Sequence, residues 1–435
     1  MSTGFERKTV VIAGLGDCGF QVAIRLASAC NVVAISAKPL LASGQDVGRM
    51  LCWPEAWKLD YFLSWRQLPA LDNVMIKQGL IKLVDSVNQT VLVERKDGSR
   101  EELRYNYLVI CSGVSNGFWK LPPERDVLNE TQLEERIQSY AERVSLATVV
   151  AIVGGGATGV SIAFCVKERY VNKEVHLFYS RARILPEYQR NVAHKVQKQL
   201  ISLGVQLHSN HRGIVQAATK GDILNGDSMC GMDSSGSVHF STGQPPFPAD
   251  TILWCVGRTR PNTSFLPAKM LTPQGFVKVD STLRVVGERN IFAVGDVAQS
   301  DTHRSSARNN GFVVVAANVK KLLKASSPNA AESVAFATFK ATQYRWGAIA
   351  ASEASGLLLS LPNGWLLHIS SWVKNLVIRC ILVNFVYGGV RGDVCDLPWL
   401  NTLPTSPEGC CKRTACLSVL LLSFMLYSLY CATCS

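Results

Sequence analysis

Two stretches of the chain repeat one pattern of apolar and polar positions. In each stretch an apolar run leads into a glycine-rich turn, a segment of helical period and a second segment that fits a strand. The apolar runs cover residues 9–13 and 148–153, and the second segments cover 31–35 and 174–179. Such runs are typical of strands buried on both faces of a parallel sheet. The pattern therefore predicts two strand–turn–helix–strand units and an α/β fold.

The turn of each unit carries a GxGxxG fingerprint. The glycines are Gly14, Gly16 and Gly19 in the first unit, and Gly154, Gly156 and Gly159 in the second. The first glycine permits a tight turn, the second lets the backbone approach a pyrophosphate, and the third lets the helix pack on the strand. The helix N-terminus presents free amides to the phosphates. Two such units predict two dinucleotide sites, between which a flavin and a nicotinamide can exchange a hydride.

Three further apolar strands end in small or acidic residues. One ends at Cys111-Ser112-Gly113, one runs from 250 to 256 into the turn 257–262, and one ends at Gly295-Asp296. Ligands of open α/β sheets bind at the carboxyl ends of the strands. Asp296 is therefore a candidate acceptor for a ligand hydroxyl, and the alternative is a helix N-cap.

The two fingerprints and the three strand ends follow one another in a characteristic order. With this order the chain resembles the FAD- and NAD(P)-dependent pyridine nucleotide-disulfide oxidoreductases over about residues 8–325. The branch that it most resembles holds apoptosis-inducing-factor-like and ferroptosis-suppressor-like proteins and the type II NADH dehydrogenases. The resemblance implies two Rossmann-like domains (three-layer ββα) for FAD and NAD(P), a small C-terminal domain and an apolar tail. The implied limits are 1–117 and 263–325 for the FAD domain, 118–262 for the NAD(P) domain, 335–395 for the small domain, and 396–435 for the linker and hydrophobic tail.

The resemblance also implies which residues bind the cofactors. On the FAD side these are Gly14, Gly16 and Gly19 at the pyrophosphate, Ile81 near the adenine, Ser112 and Gly113 at a strand end, Gly295, and Asp296 at the ribityl chain. Arg49 falls roughly where relatives place a flavin-phosphate arginine, and a surface arginine is the alternative. For the nicotinamide nucleotide they are Gly154, Gly156, Gly159 and Gly257. The sequence assigns no catalytic residue, and no four-ligand metal pattern occurs in it.

Two strand ends depart from the pattern of the relatives. Where many flavoproteins carry an acid for the adenosine ribose, this chain has Ser36, which could bond a ribose hydroxyl, and Lys38, which could pair with a phosphate. At the matching place of the second unit stand Ser180, Arg181 and Arg183. Arginine there pairs with the 2′-phosphate of NADPH, whereas NAD sites use an acid. The sequence favours NADPH over NADH, with a solvated basic turn as the alternative.

Two further departures concern the chemistry. Relatives frequently carry Glu two residues after the third glycine of the second fingerprint, and this chain has Ser161. That change puts in doubt whether this chain uses the same electron-acceptor chemistry as the relatives. It does not prevent hydride transfer from nicotinamide to flavin, which depends mainly on positioning. A disulfide reductase needs a cysteine pair on the helix after its first unit, and Cys52 has no close neighbour in sequence there. Thiol–disulfide exchange is therefore not expected.

Composition limits the other classes of function. Hydrophobic residues make up 47% and charged residues 18%, which excludes a mostly disordered chain. The net charge of +12 is spread without a basic run, which favours a solvated basic surface and no specific nucleic acid partner. The N-terminus lacks the apolar core of a secretory signal. The 14 cysteines are therefore expected to be reduced.

Two apolar segments follow the Rossmann-like part. Segment 365–387, read as a helix, has one apolar face and fits either an element of the small domain or a membrane-interface helix, and its Val and Ile content leaves a strand open. The uncharged run 416–435 is near the minimum length for a bilayer span, and basic residues precede it. We expect a C-terminal tail anchor that keeps the protein on the cytoplasmic side of a membrane.

The leading functional hypothesis is an FAD-dependent NAD(P)H oxidoreductase. It would pass a hydride from NADH or NADPH to the flavin, and electrons onward to an acceptor, with a membrane quinone as the first candidate. One alternative is a catalytically weak flavoprotein-fold sensor or scaffold, motivated by Ser36 and Ser161. Another is an apoptosis-inducing-factor-like protein that binds anions or nucleic acid through its basic body.

Overall fold

Two five-stranded sheets, one from each fingerprint unit, form the frame of the molecule. The computed structural model describes residues 7–115, 129–214, 232–233, 236–256, 260–325, 333–375 and 379–391. Elements are numbered here in chain order. The tail 396–435, and the turn residues 257–259 with Gly257, lie outside the described residues.

The first sheet has the strand order β21-β9-β1-β2-β5, and all its neighbours are parallel. Its strands are β1 (Thr9–Ala13), β2 (Asn31–Ser36), β5 (Val74–Gln78), β9 (Tyr107–Ile110) and β21 (Ile291–Ala293). Helix α1 (Asp17–Leu26) joins β1 to β2 and packs against α7 (Gly311–Lys324). All but the first residue of β1 and of β9 are buried, which explains why those residues are apolar.

The second sheet repeats this plan in the order β13-β12-β11-β18-β15, with only β15 antiparallel to its neighbour. Its strands are β11 (Val149–Val153), β12 (Glu174–Phe178), β13 (Gln206–His208), β15 (Met232–Asp233) and β18 (Thr251–Trp254). The helices of this part are α4 (Glu130–Leu146), α5 (Ala157–Arg169) and α6 (Arg190–Ser202). Asn129 caps α4 through a hydrogen bond from the Gln132 amide.

Small antiparallel sheets cover the faces of the large sheets that the helices leave open. They consist of β6 (Leu80–Asp85), β7 (Thr90–Glu94) and β8 (Arg100–Arg104) in the first half, and β14 (Gly213–Ile214), β16 (Gly236–Phe240) and β17 (Phe247–Ala249) in the second. Two-stranded pairs complete this part: β3 (Leu40–Ala42) with β4 (Phe62–Ser64), β10 (Val114–Ser115) with β19 (Arg260–Pro261), and β20 (Val277–Lys278) with β22 (Ala298–Gln299). Each half thus has the expected three layers, and the two-domain α/β fold is confirmed. The predicted domain limits stay a prediction.

Helices α2 (Val47–Cys52) and α3 (Pro54–Tyr61) link the two halves, because α2 packs along α5. The remaining described elements form a third part, an antiparallel sheet of β23 (Gly347–Ala351), β24 (Leu357–Ser360) and β25 (Leu366–Ile369). Single-turn helices α8 (Ser371–Val373) and α9 (Arg379–Ile381) follow, and then a π-helical turn, Leu382–Val386. This sheet packs on α5 through β23.

Several predicted elements need correction. Segment 365–387 is not one helix, because its first residues pair with β24 as strand β25. Helix α7 begins at Gly311, and Asn310 before it has a left-handed backbone (φ 57°). Cys380 is disulfide-bonded, so the expectation of reduced cysteines fails there. It holds for Cys18, Cys30, Cys52, Cys111, Cys165 and Cys255. Across the described ranges, no helix combines the length and apolarity that a bilayer crossing requires.

Candidate functional site

A cavity opens where the strands of the first sheet end. Segments that follow β1, β2, β9 and β21 line it, as parallel topology requires for a ligand site at the carboxyl edge. Nine of the residues predicted for FAD line this cavity: Gly14, Gly16, Ser36, Lys38, Ile81, Ser112, Gly113, Gly295 and Asp296. Sequence motifs scattered over 280 residues are therefore brought to one place.

The glycines of the first fingerprint lie in three different environments. Gly14 has a φ of 103°, and its amide donates to the Ile35 carbonyl at 3.0 Å, which closes the tight turn. A Cβ on Gly19 would lie 1.9 Å from the Gly14 carbonyl oxygen, so only glycine lets α1 approach β1. A Cβ on Gly16 would meet no protein atom within 4 Å. The protein itself thus does not require glycine at 16, and a pyrophosphate approaching this turn would require it.

The second fingerprint reproduces this geometry. The Gly154 amide donates to the Phe178 carbonyl at 2.7 Å, and Gly154 has a φ of 130°. A Cβ on Gly159 would lie 1.9 Å from the Gly154 oxygen, and a Cβ on Gly156 would again meet nothing within 4 Å. The two units are therefore alike in three dimensions as well as in sequence. Each leaves an open approach to a backbone turn followed by a helix N-terminus, which suits a pyrophosphate.

An unpaired polar atom also indicates a ligand in the first cavity. Asn262 lines the cavity and is 5% exposed, and its Nδ2 donates to the Ser112 carbonyl at 2.9 Å. Its Oδ1 is buried without a partner in the described part of the chain. Buried amide oxygens are normally hydrogen-bonded. The residues present therefore fit a bound dinucleotide with a donor group near Asn262.

Strand β2 ends at the cavity with Ser36 and Lys38, where many flavoproteins carry an acidic residue. The Ser36 hydroxyl accepts a hydrogen bond from the Lys38 amide at 3.2 Å, and the Lys38 ammonium donates to the Ala42 carbonyl at 3.3 Å. Both side chains line the cavity. This part of the cavity is thus neutral to cationic, without a carboxylate at the end of β2.

Asp296 belongs to the cavity and does not cap a helix. The N-cap of α7 is Asn310, so the capping alternative for Asp296 is wrong. The preceding Gly295 has a φ of 95°, and its amide donates to the buried Ser306 hydroxyl at 3.0 Å. These contacts fix the backbone that presents the carboxylate to the cavity.

Arg49 lies outside the residues that line the cavity, and other groups occupy its guanidinium. The side chain contacts Asp60 at 2.6 Å and Glu353 at 2.5 Å, and it donates to the Ala56 carbonyl at 2.8 Å. Arg49 is 5% exposed, and these neighbours raise its pKa despite the opposing effect of burial. The structure therefore gives Arg49 an ion-pair role between α2, α3 and the third part in place of the flavin-phosphate contact.

Ser180, Arg181 and Arg183, which are predicted to contact the 2′-phosphate, differ in exposure and in their protein partners. Arg183 donates to the backbone carbonyls of Leu185, Pro186 and Tyr188 at 2.9–3.3 Å, so its guanidinium holds the loop after β12. Ser180 and Arg181 are exposed at the end of β12. A phosphate site at this strand end would therefore depend on Arg181. Ser161, at the place of the relatives' glutamate, is 6% exposed, and Gly48 packs against its carbonyl.

Sequence reasoning missed several residues of the cavity. Cys18, Phe265 and Asn262 line it, and so does Asp17, which accepts a hydrogen bond from the Ser43 hydroxyl at 3.0 Å. Asn262 ends the recognised turn 257–262, so the turn motif could have drawn attention to it. Phe265 carries no local motif, because only the tertiary fold brings it to the strand ends.

Comparisons with known proteins agree with this geometry. A family model described as pyridine nucleotide-disulphide oxidoreductase matches residues 8–317. Apoptosis-inducing factor homolog B of Dictyostelium discoideum is 26% identical over 337 residues, which are 74% of this chain and 83% of that protein. Ferroptosis suppressor protein 1 of Xenopus tropicalis is 29% identical over 67% of this chain and 75% of that protein. Demethylphylloquinone reductase NdbB of a Synechocystis species is 26% identical over 67% and 72%.

Solved structures share the fold. A ferredoxin reductase from Rhodopseudomonas palustris aligns with a TM-score of 0.53 and 19% identity over 80% of each chain. The family model covers more than half of the chain, including both fingerprints and the Gly295-Asp296 motif. The chain therefore belongs to the pyridine nucleotide-disulphide oxidoreductase family, and it is an FAD-dependent NAD(P)H oxidoreductase.

Proposed function

We propose that this enzyme oxidises NAD(P)H and passes the electrons to a quinone. The observation that carries the two-cofactor part is the repeated fingerprint geometry, with Gly16 and Gly156 both open to a ligand. The acceptor is supported by a relative named demethylphylloquinone reductase, to which this chain is 26% identical. The single cysteine on α2, Cys52, is buried, and burial raises the pKa of its thiol, which disfavours a disulfide-reductase mechanism.

Different residues of the cavity would bind different parts of FAD. Gly14, Gly16 and the α1 N-terminus would bind the pyrophosphate through backbone amides. Asp296 would accept hydrogen bonds from the ribityl hydroxyls, and Ser36 and Lys38 would contact the adenosine end. Bound flavin supplies the capacity to take a hydride from a nicotinamide and to release electrons to an acceptor. The protein contributes position, which is the main requirement for hydride transfer.

The nicotinamide nucleotide would occupy the strand ends of the second sheet. Gly154, Gly156 and Gly159 would hold its pyrophosphate in the way that the first fingerprint holds that of FAD. Arg181 is the exposed arginine at the end of β12, so we propose NADPH as the preferred donor, with NADH as the second substrate.

One titration tests the proposal. The purified protein is examined for the visible absorbance of bound flavin and then mixed with NADH or NADPH without an acceptor. Bleaching of the flavin band shows hydride transfer, and addition of a panel of quinones restores it if a quinone is the acceptor. A protein with neither flavin absorbance nor NAD(P)H oxidation would contradict the proposal.

A second candidate is a sensor or scaffold with weak catalysis. Ser161 favours it, because the helix position that carries a glutamate in many relatives is small and buried here. The same titration separates the two candidates. A sensor would bind both nucleotides but reduce its flavin very slowly, whereas turnover with any quinone eliminates it.

We also propose that the run 416–435 anchors the enzyme to the cytoplasmic side of a membrane, where quinones dissolve. The support is sequence alone, an uncharged apolar run preceded by Lys412 and Arg413.

A further inference from the structure

The first cavity has a basic residue at the strand end where the ribose of an adenine nucleotide would lie. Ser36 is the last residue of β2, Lys38 follows two residues later, and both line the cavity. Ser36 is 8% exposed, and its hydroxyl accepts a hydrogen bond from the Lys38 amide at 3.2 Å. In a dinucleotide-binding unit, groups at this strand end contact the adenosine ribose. Ser36 and Lys38 therefore determine which groups the ribose can carry.

Main-chain hydrogen bonds align this strand end with that of the second site. The Gly14 amide donates to the Ile35 carbonyl at 3.0 Å, and the Gly154 amide donates to the Phe178 carbonyl at 2.7 Å. In both sheets, the residue that carries this carbonyl is also the register partner of the residue before the glycine. The two carbonyls therefore mark equivalent positions in the two units.

A basic residue follows the marked carbonyl at the same distance in both units. Lys38 is the third residue after the carbonyl of the first unit, and Arg181 is the third after that of the second. The residue directly after the carbonyl is Ser36 in one unit and Tyr179 in the other, so both positions are uncharged. A carboxylate at this strand end binds the ribose hydroxyls, whereas a nearby basic residue accommodates a phosphate on the ribose. The first cavity therefore shares the feature on which the NADPH preference of the second site rests.

The Lys38 ammonium is held at the wall of the cavity. Its Nζ donates to the Ala42 carbonyl at 3.3 Å, and Ala42 lines the cavity as well. An ammonium has three N–H donors and keeps its charge while it donates to a neutral carbonyl. The other side of this strand end is closed by Gly79, which lines the cavity and whose amide donates to the Ser36 carbonyl at 2.9 Å. The cation, the hydroxyl and the open space thus belong to one part of the cavity.

The acidic residues of the cavity follow other strands. Of the described residues that line it, Asp17 and Asp296 carry carboxylates. Asp296 follows β21, which is three strands away from β2 in the sheet, or about 14 Å at the usual spacing of strands. Asp17 follows β1, and its carboxylate accepts a hydrogen bond from the Ser43 hydroxyl at 3.0 Å. The end of β2 therefore offers a phosphate a cation and a hydroxyl.

We propose that the first cavity, when it is free of FAD, binds an adenine nucleotide that carries a phosphate on its ribose. FAD and NADPH share an adenosine diphosphate group, so the fingerprint amides that suit one pyrophosphate suit the other. The ribose of FAD has no phosphate, whereas that of NADPH has one at the 2′ position. This ligand lies outside the proposed function, because it occupies the flavin-free protein and competes with FAD for it.

Displacement of FAD from the full-length protein tests the proposal. Flavin-free protein is titrated with FAD, whose fluorescence reports binding, in the presence of AMP, adenosine 2′,5′-bisphosphate or adenosine 3′,5′-bisphosphate. The probes differ only in the ribose phosphate. At least one bisphosphate should displace FAD at a concentration about 10-fold to 100-fold lower than AMP does, because it adds a charge-assisted bond to Lys38. A preferred 2′ isomer identifies an NADP-type ligand, and a preferred 3′ isomer identifies a coenzyme A-type ligand. Equal displacement by all three probes would overturn the proposal.

Variants at the two aligned positions locate the effect. Lys38→Met should bring the inhibition constants of AMP and the bisphosphate together, and Lys38→Arg should keep them apart. Ser36→Glu should favour AMP, because the new carboxylate repels the ribose phosphate. Arg181→Ala removes the matching cation of the second site and should leave the ratio unchanged. This ratio compares two competitors on one variant, so it does not depend on how tightly that variant binds FAD.

The Lys38 and Arg181 variants also give the result that would disprove the site. If Lys38→Met retains the advantage of the bisphosphate, the first cavity does not recognise the phosphate. Loss of the advantage in Arg181→Ala would then show that the bisphosphate acts from the second site. Quinone reduction by the flavin-loaded enzyme is measured separately, so failure of the proposed function and failure of this site are distinguishable.

Discussion

The second and the third glycine of each fingerprint are required for different reasons. Gly19 and Gly159 are required by the protein itself, because a Cβ there would collide with backbone. Gly16 and Gly156 have no protein neighbour within 4 Å of that position. A substitution at the second glycine therefore reports on the ligand, and one at the third reports on folding.

This difference gives the first prediction. Gly16→Ala should change the free energy of unfolding of the FAD-free protein by less than about 0.5 kcal/mol. It should weaken FAD binding by about 10-fold to 100-fold, since the added methyl blocks the pyrophosphate approach. Urea unfolding and recovery of flavin fluorescence measure the two effects. Gly19→Ala is the matched control and should destabilise the protein itself; equal destabilisation by both changes would contradict the assignment.

Arg49 gives a prediction about stability. Arg49→Met should destabilise the protein by about 3 kcal/mol, because it leaves the buried Asp60 and the partly buried Glu353 without their shared cation. Lys374 still contacts Glu353 at 2.7 Å and Arg379 still contacts Asp60 at 3.1 Å, so part of the charge stays compensated. Lys58→Met, which breaks an exposed pair, should cost less than about 1 kcal/mol. Similar unfolding midpoints for both variants would show that the Arg49 cluster does not stabilise the fold.

The exposed arginine after β12 gives a prediction about specificity. Arg181→Ala should raise the KM for NADPH by about 10-fold to 100-fold and leave that for NADH nearly unchanged, through loss of a charge-assisted bond to the 2′-phosphate. Arg183→Ala should lower thermal stability instead, because its guanidinium binds three carbonyls of its own loop. Steady-state kinetics with both nucleotides decide the question, and a parallel rise of both KM values would exclude a phosphate contact.

At the residue scale, the sequence predicted residues that lie in short motifs. It missed residues whose contacts come from parts of the chain that are distant in sequence. The fingerprint glycines and Asp296 lie in short motifs, and the structure brings them to the strand ends. Arg49 was misplaced because its partner Glu353 is 304 residues away. No spacing rule relates two such positions.

At the scale of elements, β12 and β13 place two histidines side by side. His176 Nδ1 and His208 Nε2 are 3.0 Å apart, and the rings stack within an aromatic group with Phe178 and Phe247. Burial lowers the pKa of both histidines, that of His208 to about 4, with a further lowering from His176. Glu174 faces His176 and opposes the shift, and His211 faces His208. The pair therefore packs as neutral rings.

A pH dependence follows with a definite sign. The unfolded chain takes up protons on these histidines below about pH 6.5. In the folded protein His208 does so only near pH 4, and burial lowers the pKa of His176 as well. The free energy of unfolding should therefore fall as the pH falls from 6.5 towards 4, by at most about 1.4 kcal/mol per pH unit for each histidine. His208→Asn should reduce this slope in urea unfolding relative to the unaltered protein. Equal slopes in the two proteins would refute the effect.

Apolar runs predicted β1 and β11, and β2 and β12 were placed by the glycine turn and helix between the strands of each unit, because strands of a central parallel sheet are buried on both faces. Segment 365–387 was harder, since its apolar positions fit a helix equally well. Pairing with β24, after a turn at Gly364 with a φ of 88°, makes its first residues a strand. The hydrogen bonds that a strand makes to its neighbour are not visible in the periodicity of one strand alone.

At the scale of the whole molecule, the last prediction concerns attachment to a membrane. Removing residues 414–435 should move the protein from the membrane pellet to the supernatant after cell fractionation, because that run is uncharged and about 20 residues long. NAD(P)H oxidation with ferricyanide should persist in the truncated protein, which shows that the catalytic part is intact. Retention in the pellet would transfer the anchoring role to another segment.

The position of β21 at the edge of the first sheet has a consequence for synthesis on the ribosome. Its partner β9 ends at Ile110, but β21 begins only at Ile291, some 180 residues later. At about 5–20 residues per second, translation leaves the outer edge of β9 unpaired for roughly 10–40 seconds. The inserted nucleotide-binding half is complete in sequence before that edge closes. We therefore expect it to fold first during translation, and the nascent N-terminal sheet to be the stage most exposed to chaperones and to aggregation.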